Sequence, residues 1–159
     1  HKDIAIITGN FEHYTSRGRL KGFLDAMKEA DLIPVDEHIQ CGDYSIDGGY
    51  EAMLRIWDTK KRPTAIFISN YDMTIGAYLA INYLNLKIPD DISVIGFDNF
   101  PLANVVNPPL SFAEQPTNEM GTEAGKLLYK RICGDYSDYP QTIMHKPTMY
   151  YKESIRKIN

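Results

Sequence analysis

The sequence predicts an α/β fold: a parallel sheet with helices on both faces. Two observations carry this. Four short apolar runs, each followed by a stretch with helical spacing, recur at roughly 25–35 residues, the rhythm of βαβ units. The runs are nearly continuous in apolar side chains, as strands covered on both faces require. The length of 159 residues suits one compact domain or part of a two-lobed one.

Taken in order, Ile4-Ala5-Ile6-Ile7-Thr8 is the first strand and closes on Gly9. Leu20, Phe23, Leu24 and Met27 then fall at i, i+3, i+4, i+7, with Thr15 or Ser16 placed to cap the helix start. A second run around Ile39-Gln40-Cys41 ends in Gly42-Asp43 and leads to a helix through Ala52, Met53, Ile56 and Trp57. Ala65-Ile66-Phe67-Ile68 is the third strand, with Ile75, Tyr78, Leu79 and Tyr83 marking its helix. The fourth is Ile92-Ser93-Val94-Ile95-Gly96-Phe97, after Pro89-Asp90-Asp91. Past residue 100 the rhythm breaks. Asn107-Pro108-Pro109 is a rigid connector, and Leu110 to Glu114 is extended. Pro116 suits the first turn of a helix whose apolar side is Met120, Ala124, Leu127, Leu128 and Ile132. Gly134 ends that helix, and Gln141 to Tyr151 reads as a last strand before a basic tail.

Right-handed crossovers put every parallel strand's C-terminal end on one edge of the sheet. Ligands of such sheets gather there, where loops and helix N-termini converge. The residues just past each strand are therefore the site candidates: 10–19, Asp43-Tyr44, 69–72 and 98–101.

Composition narrows the classes of function. With 17 basic against 21 acidic side chains and a formal charge of −4, the chain lacks the concentrated basic surface a phosphate-backbone grip needs. No apolar run reaches membrane-spanning length, and no signal peptide opens the sequence. Two cysteines, Cys41 and Cys133, make neither a disulfide framework nor a metal-ligand pattern. A reducing, cytoplasmic setting is expected. Asp43, Ser45, Asp47 and Gly48 mimic the start of a calcium loop, but Leu54 stands where the bidentate Glu is needed. His1, His13, His38 and His145 form no His-x-x-x-His pair, and there is no Gly-x-Ser-x-Gly elbow or Walker loop. No enzyme, metal or cofactor is expected.

Four blocks carry a resemblance. They are 19–23 (RLKGF), 62–67 (RPTAIF), 88–98 (IPDDISVIGFD), and Pro109-Leu110 followed by Gln115-Pro116 and Met120-Gly121. In order and spacing they resemble the effector-binding part of the lactose-repressor/galactose-repressor family of bacterial transcription regulators, over about residues 3–151. The resemblance implies a periplasmic-binding-protein-like lobe. Residues 1–110 and 135–159 would form the C-terminal effector-binding lobe. Residues 111–134 would be a crossover strand and helix belonging to an N-terminal lobe. That lobe, and the helix-turn-helix headpiece that contacts DNA, lie outside this chain. The crossover helix would then have to pack its apolar face elsewhere, for instance on a second copy.

The resemblance also singles out residues. Arg19 offers five donors in a fixed fork to hydroxyls, a carboxylate or a phosphate; its alternative is a surface arginine at a helix start. Asp98 can accept from a pair of neighbouring hydroxyls, or serve as a turn former. Tyr44 stands where the family often has an aromatic that stacks on the ligand, although it is one of 11 tyrosines. Asn70 matches a family asparagine for a further hydrogen bond, but Tyr71 follows it and the acid comes later, at Asp72, which could cap the helix. His13 and Thr15 occupy positions that vary with effector type. Ile75, Tyr78, Leu79, Leu102 and Val105 match the family's homodimer contact, with Ile75 and Leu79 alternatively core. The function implied is that of an effector-binding, dimerising region whose ligand, a carbohydrate by resemblance, reorients the lobes and so controls operator binding. The alternative is a solute-binding protein of a sugar transporter.

Overall fold

A computed structural model describes residues 1–98 and 101–158, without the side chain of Leu102. The elements are β1 (Ile4–Thr8), α1 (Tyr14–Glu29), β2 (Ile39–Cys41), α2 (Ile46–Trp57), β3 (Ala65–Ile68), α3 (Tyr71–Tyr83), β4 (Ser93–Phe97), the short α4 (Leu102–Val105), β5 (Ser111–Glu114), α5 (Thr117–Ile132) and β6 (Thr148–Tyr150). They build one six-stranded sheet in the order β2-β1-β3-β4-β5-β6. The first five strands pair in parallel; β6 pairs antiparallel with β5. The α/β expectation is thus borne out, with a mixed rather than wholly parallel sheet. β6 covers only the end of the run expected from Gln141 to Tyr151.

Alternation along each strand divides the sheet's two faces. Ala5, Ile7, Ile66, Ile68, Val94 and Phe112 join the main core with Ala52, Met53 and Ile56 of α2 and Met73, Ala77, Ala80 and Ile81 of α3. Burying one such Ile or Met side chain stabilises by about 1.5–3 kcal/mol. The α2 and α3 backbones approach closely because two glycines face each other's helix. A Cβ on Gly76 would lie 1.9 Å from the Ile46 carbonyl oxygen, and one on Gly49 2.4 Å from that of Met73. On the opposite face α1 is the covering helix among the described residues. Ile4, Phe67, Phe97 and Met149 there border an apolar groove of about 680 Å³ with Phe23 and Met27. Of the predicted α1 stripe, only Met27 is fully buried; Leu20, Phe23 and Leu24 are half-buried.

The C-terminal tail is structural. Ser154 Oγ donates to the Val94 carbonyl at 2.7 Å and accepts from Ser111 N–H at 2.7 Å. Its carbonyl accepts from Val94 N–H at 2.8 Å. The tail thereby bonds backbone groups of β4 and β5 beside the point where Ile95 and Ser111 pair.

Two expected caps are corrected. The N-cap of α1 is His13, with no side-chain cap bond, and Thr15 and Ser16 lie inside the first turn. Pro116 is the N-cap of α5 rather than its first residue. Gly134 follows the α5 C-cap with φ 81°, a left-handed stop that costs glycine little. None of the 16 residues of α5 is buried.

Candidate functional site

The strand order aligns the ends of β2, β1, β3 and β4 along one edge, a row roughly 15 Å long at ordinary strand spacing. Every residue singled out for binding stands on it. Tyr44 follows β2; His13, Thr15 and Arg19 follow β1; Asn70 follows β3; and Asp98 follows β4.

The β1 and β2 ends form a hydroxyl-aromatic cluster. Tyr44 takes φ 59°, a left-handed conformation that is unusual for a bulky residue. This turns its ring back over β1, where its hydroxyl bonds Thr15 Oγ1 at 2.8 Å and Ser16 Oγ at 2.6 Å. The ring occupies the space above Gly9, whose hypothetical Cβ would meet it at 2.2 Å. His13 stacks on the same ring with centroids 5.6 Å apart and planes 15° from parallel. Tyr44 is half-buried, whereas His13 and Thr15 are exposed.

Arg19 reaches from the first turns of α1 across the end of β3. Its Nη1 donates to the Ser69 carbonyl, and its guanidinium lies over the Phe97 ring, 4.0 Å from the centroid. Among the described residues it has no carboxylate partner. A half-buried guanidinium with donors to spare suits an uncharged polyol or an anion equally.

Asn70 is the N-cap of α3. Its Oδ1 accepts from Met73 N–H at 3.0 Å, and its carbonyl accepts from Thr74 Oγ1 at 2.7 Å. Capping, weighed for Asp72, falls to Asn70, with Asp72 in the first turn. The Asn70 amide nitrogen has no hydrogen bond to a described residue and is free to donate to a ligand, while Oδ1 already accepts one bond.

Asp98 also has positive φ, 77°. Its N–H donates to the Ala113 carbonyl at 2.8 Å, and its Oδ1 accepts from Gln115 Nε2 at 2.6 Å. One carboxylate oxygen is thus engaged before any ligand arrives. Asp43, Tyr44 and Asp98 make up three of the five positive-φ non-glycine residues among those described; Asp31 and Asn85 simply follow helix ends. Unfavourable backbone concentrated at one edge marks a site whose surroundings over-determine it. Thr8 and Ser69, the last residues beneath this edge, are fully buried with hydroxyls lacking a partner among the described residues.

Sequence reasoning did not single out Gly9, Ser16, Phe97 or Gln115 for this arrangement. Phe97 and Gln115 carried a signal inside the family blocks, and Ser16 fell within the candidate range 10–19. Of the expected dimer contacts, Leu79 is 50% exposed and Val105 71% exposed. Ile75 and Tyr78 are half-buried. The Tyr78 hydroxyl has no partner among the described residues, and burial pushes its pKa well above the usual tyrosine range. The side chain of Leu102 lies outside the described residues. No group of metal-ligating side chains occurs among the described residues.

This fold and edge define the class: the chain belongs to the periplasmic binding protein-like domain family, whose profile matches residues 1–155. Its relatives are regulators, which bears out the lactose-repressor/galactose-repressor resemblance. It is 39% identical over 155 residues to the HTH-type transcriptional repressor PurR of Proteus mirabilis, covering 98% of this chain and 45% of that protein. It is 37% identical to PurR of Actinobacillus pleuropneumoniae, covering 100% of this chain and 48% of that protein. The chain therefore spans about half the length of these relatives. Among solved structures, the Chloroflexus aggregans regulatory protein of the LacI family matches with TM-score 0.85 at 32% identity, over 98% of this chain and 56% of that one. The transcriptional regulator CelR, solved as a cellobiose complex, matches with TM-score 0.85 at 26% identity, over 97% of this chain and 47% of that one.

Proposed function

We propose that this chain is the C-terminal effector-binding region of a DNA-binding transcription regulator, and that its strand edge holds a small polar ligand, a carbohydrate foremost. The observation that carries this is the row of Arg19, Asn70 and Asp98 past the ends of the adjacent strands β1, β3 and β4, with the His13–Tyr44 stack at one end. Arg19 supplies donors, Asp98 an acceptor oxygen and Asn70 an amide N–H. The ring stack offers an apolar face to a sugar's C–H surface. The cellobiose bound by the structurally similar CelR supports this ligand class.

The rest of the reading concerns the longer protein. Residues 1–110 and 135–159 are assigned to the lobe and 111–134 to the crossing towards a second one; β5 at the start of that crossing still pairs with β4 in the lobe's sheet, so the departure falls at α5, which buries no residue. A ligand between the lobes favours one lobe orientation through its higher affinity for it. A homodimer contact through Ile75, Tyr78, Leu79, Leu102 and Val105 passes that change to DNA-binding headpieces. The protein works in the cytoplasm, without catalysis or cofactor. The repressor relatives favour this role over that of a transporter's solute-binding protein. A thermal-shift screen of the full-length regulator against sugars, sugar phosphates and purines tests the reading. A stabilising sugar is expected, and stabilisation by purines alone overturns the carbohydrate assignment.

A further inference from the structure

Arg19 reaches across the end of β3 and Asp98 follows β4, the next strand of the sheet. Their charges are opposite, yet no ion pair joins them among the described residues. Two contacts hold the guanidinium elsewhere. Its Nη1 donates to the Ser69 carbonyl, and its central carbon lies 4.0 Å from the centroid of the Phe97 ring. That distance is well within the roughly 6 Å reach of a cation–π contact. The seat itself is fixed by the sheet. Ser69 is fully buried, and its N–H donates to the Ile7 carbonyl at 2.9 Å. Phe97 closes β4, and Phe67 of β3 meets its ring edge-on with centroids 6.4 Å apart. Arg19, Phe67, Ser69 and Phe97 all belong to the lobe of residues 1–110, so the seat is complete within it.

This seat has a chemical consequence. A guanidinium left free beside a carboxylate tends to pair with it through two parallel N–H···O bonds. Such a pair would consume the donors and acceptors that a ligand needs. An aromatic face instead stabilises the cation without taking its N–H groups, which radiate in the guanidinium plane. We propose that Phe97 is a positioning residue of the ligand site: its ring seats the Arg19 guanidinium and keeps it off the Asp98 carboxylate, so that both charges stay open at the strand edge. Phe97 links the two groups directly, since its side chain carries Arg19 and the next residue is Asp98. That Arg19 and Asp98 serve one ligand rests on the function proposed above; the seating of Arg19 does not.

The test needs no effector. The Arg19 Nε–Hε resonance of the nitrogen-15-labelled 159-residue chain is assigned by its loss in Arg19→Lys. In the parent it is expected upfield of the ordinary arginine position, because a group above a ring face is shielded. Phe97→Leu keeps an apolar side chain but removes the ring, and the upfield shift is expected to be lost. Phe97→Tyr keeps the ring and is expected to keep the shift. Asp98→Asn, a residue that tolerates the same left-handed backbone, is expected to move the resonance much more in the Phe97→Leu background than in the parent. A merely structural Phe97 gives no rescue by tyrosine and no new dependence on residue 98. Should Phe97→Leu fail to fold, the parent and Phe97→Tyr spectra still decide: an upfield resonance in both supports the seat, and an ordinary position in either overturns it. The proposal is also overturned if a folded Phe97→Leu keeps the parental resonance, or if Asp98→Asn moves it equally in both backgrounds. If no sugar in the effector screen binds, the ligand assignment fails while these resonances still read the seat. If the seat fails, the outcome of the screen stands.

Discussion

At the scale of single residues, the strand edge is organised by hydrogen bonds that fix side chains before a ligand is present. Tyr44 is the clearest example. Its position after Gly42-Asp43 was legible in the sequence, but its direction was not, because a tyrosine in the left-handed region cannot be inferred from residue type. The structure turns the ring over Gly9 and leaves the His13 ring stacked on it. Gly9→Ala is expected to push the ring away, since the new Cβ would sit 2.2 Å from it. The Tyr44 hydroxyl then loses its bonds to Thr15 and Ser16, at about 0.5–1.5 kcal/mol each. Changed ring resonances of Tyr44 and a lowered melting temperature report this; unchanged resonances contradict it. Asn70 teaches the same lesson. Its place past β3 was readable, but its use of Oδ1 as a helix cap depends on α3 starting two residues earlier than a cap at Asp72 would set it.

At the scale of elements, β1, β3 and β4 were legible because both-face burial demands unbroken apolar runs. The α2–α3 contact was not. It depends on Gly49 and Gly76 meeting a neighbouring backbone, and glycines inside helical patterns carry no periodic signal. In an exposed helix, Gly→Ala stabilises by up to about 1 kcal/mol. At Gly76 the sign reverses, because the methyl would meet the Ile46 carbonyl at 1.9 Å and rigid backbone must move. Gly76→Ala is expected to destabilise by about 2–3 kcal/mol net, read as a lowered urea midpoint. An unchanged or raised midpoint would show that the helices can separate without loss. A last strand was legible within Gln141 to Tyr151, but its antiparallel pairing with β5 and the stitched tail were hidden. The tail is held through Ser154, a polar residue in a segment with no periodic signal.

At the scale of the whole molecule, the two sides of the sheet are unequally finished. α2 and α3 seal one face, whereas α1 covers only part of the other and α5 covers nothing. The need for α5 to find other partners was inferred from the family resemblance, since its apolar spacing alone reads as an ordinary surface helix. Leu128, Tyr129 and Ile132 are 62%, 69% and 73% exposed, and exposed apolar patches of this kind promote association. The isolated chain is expected to self-associate with rising concentration in sedimentation velocity. Leu128→Lys with Ile132→Lys should shift it towards monomer at unchanged circular dichroism. A parent that stays monomeric throughout contradicts this.

The central claim is that Arg19 and Asp98, from opposite ends of the α/β rhythm, converge on one ligand at the strand edge. Titration calorimetry of the full-length regulator with the sugar found by screening tests it most directly. Arg19→Ala and Asp98→Ala are each expected to weaken binding by roughly tenfold or more, in keeping with about 1.5–3 kcal/mol for a hydrogen bond to a charged group. If both variants fold and bind the ligand as tightly as the parent, the strand edge is not the site.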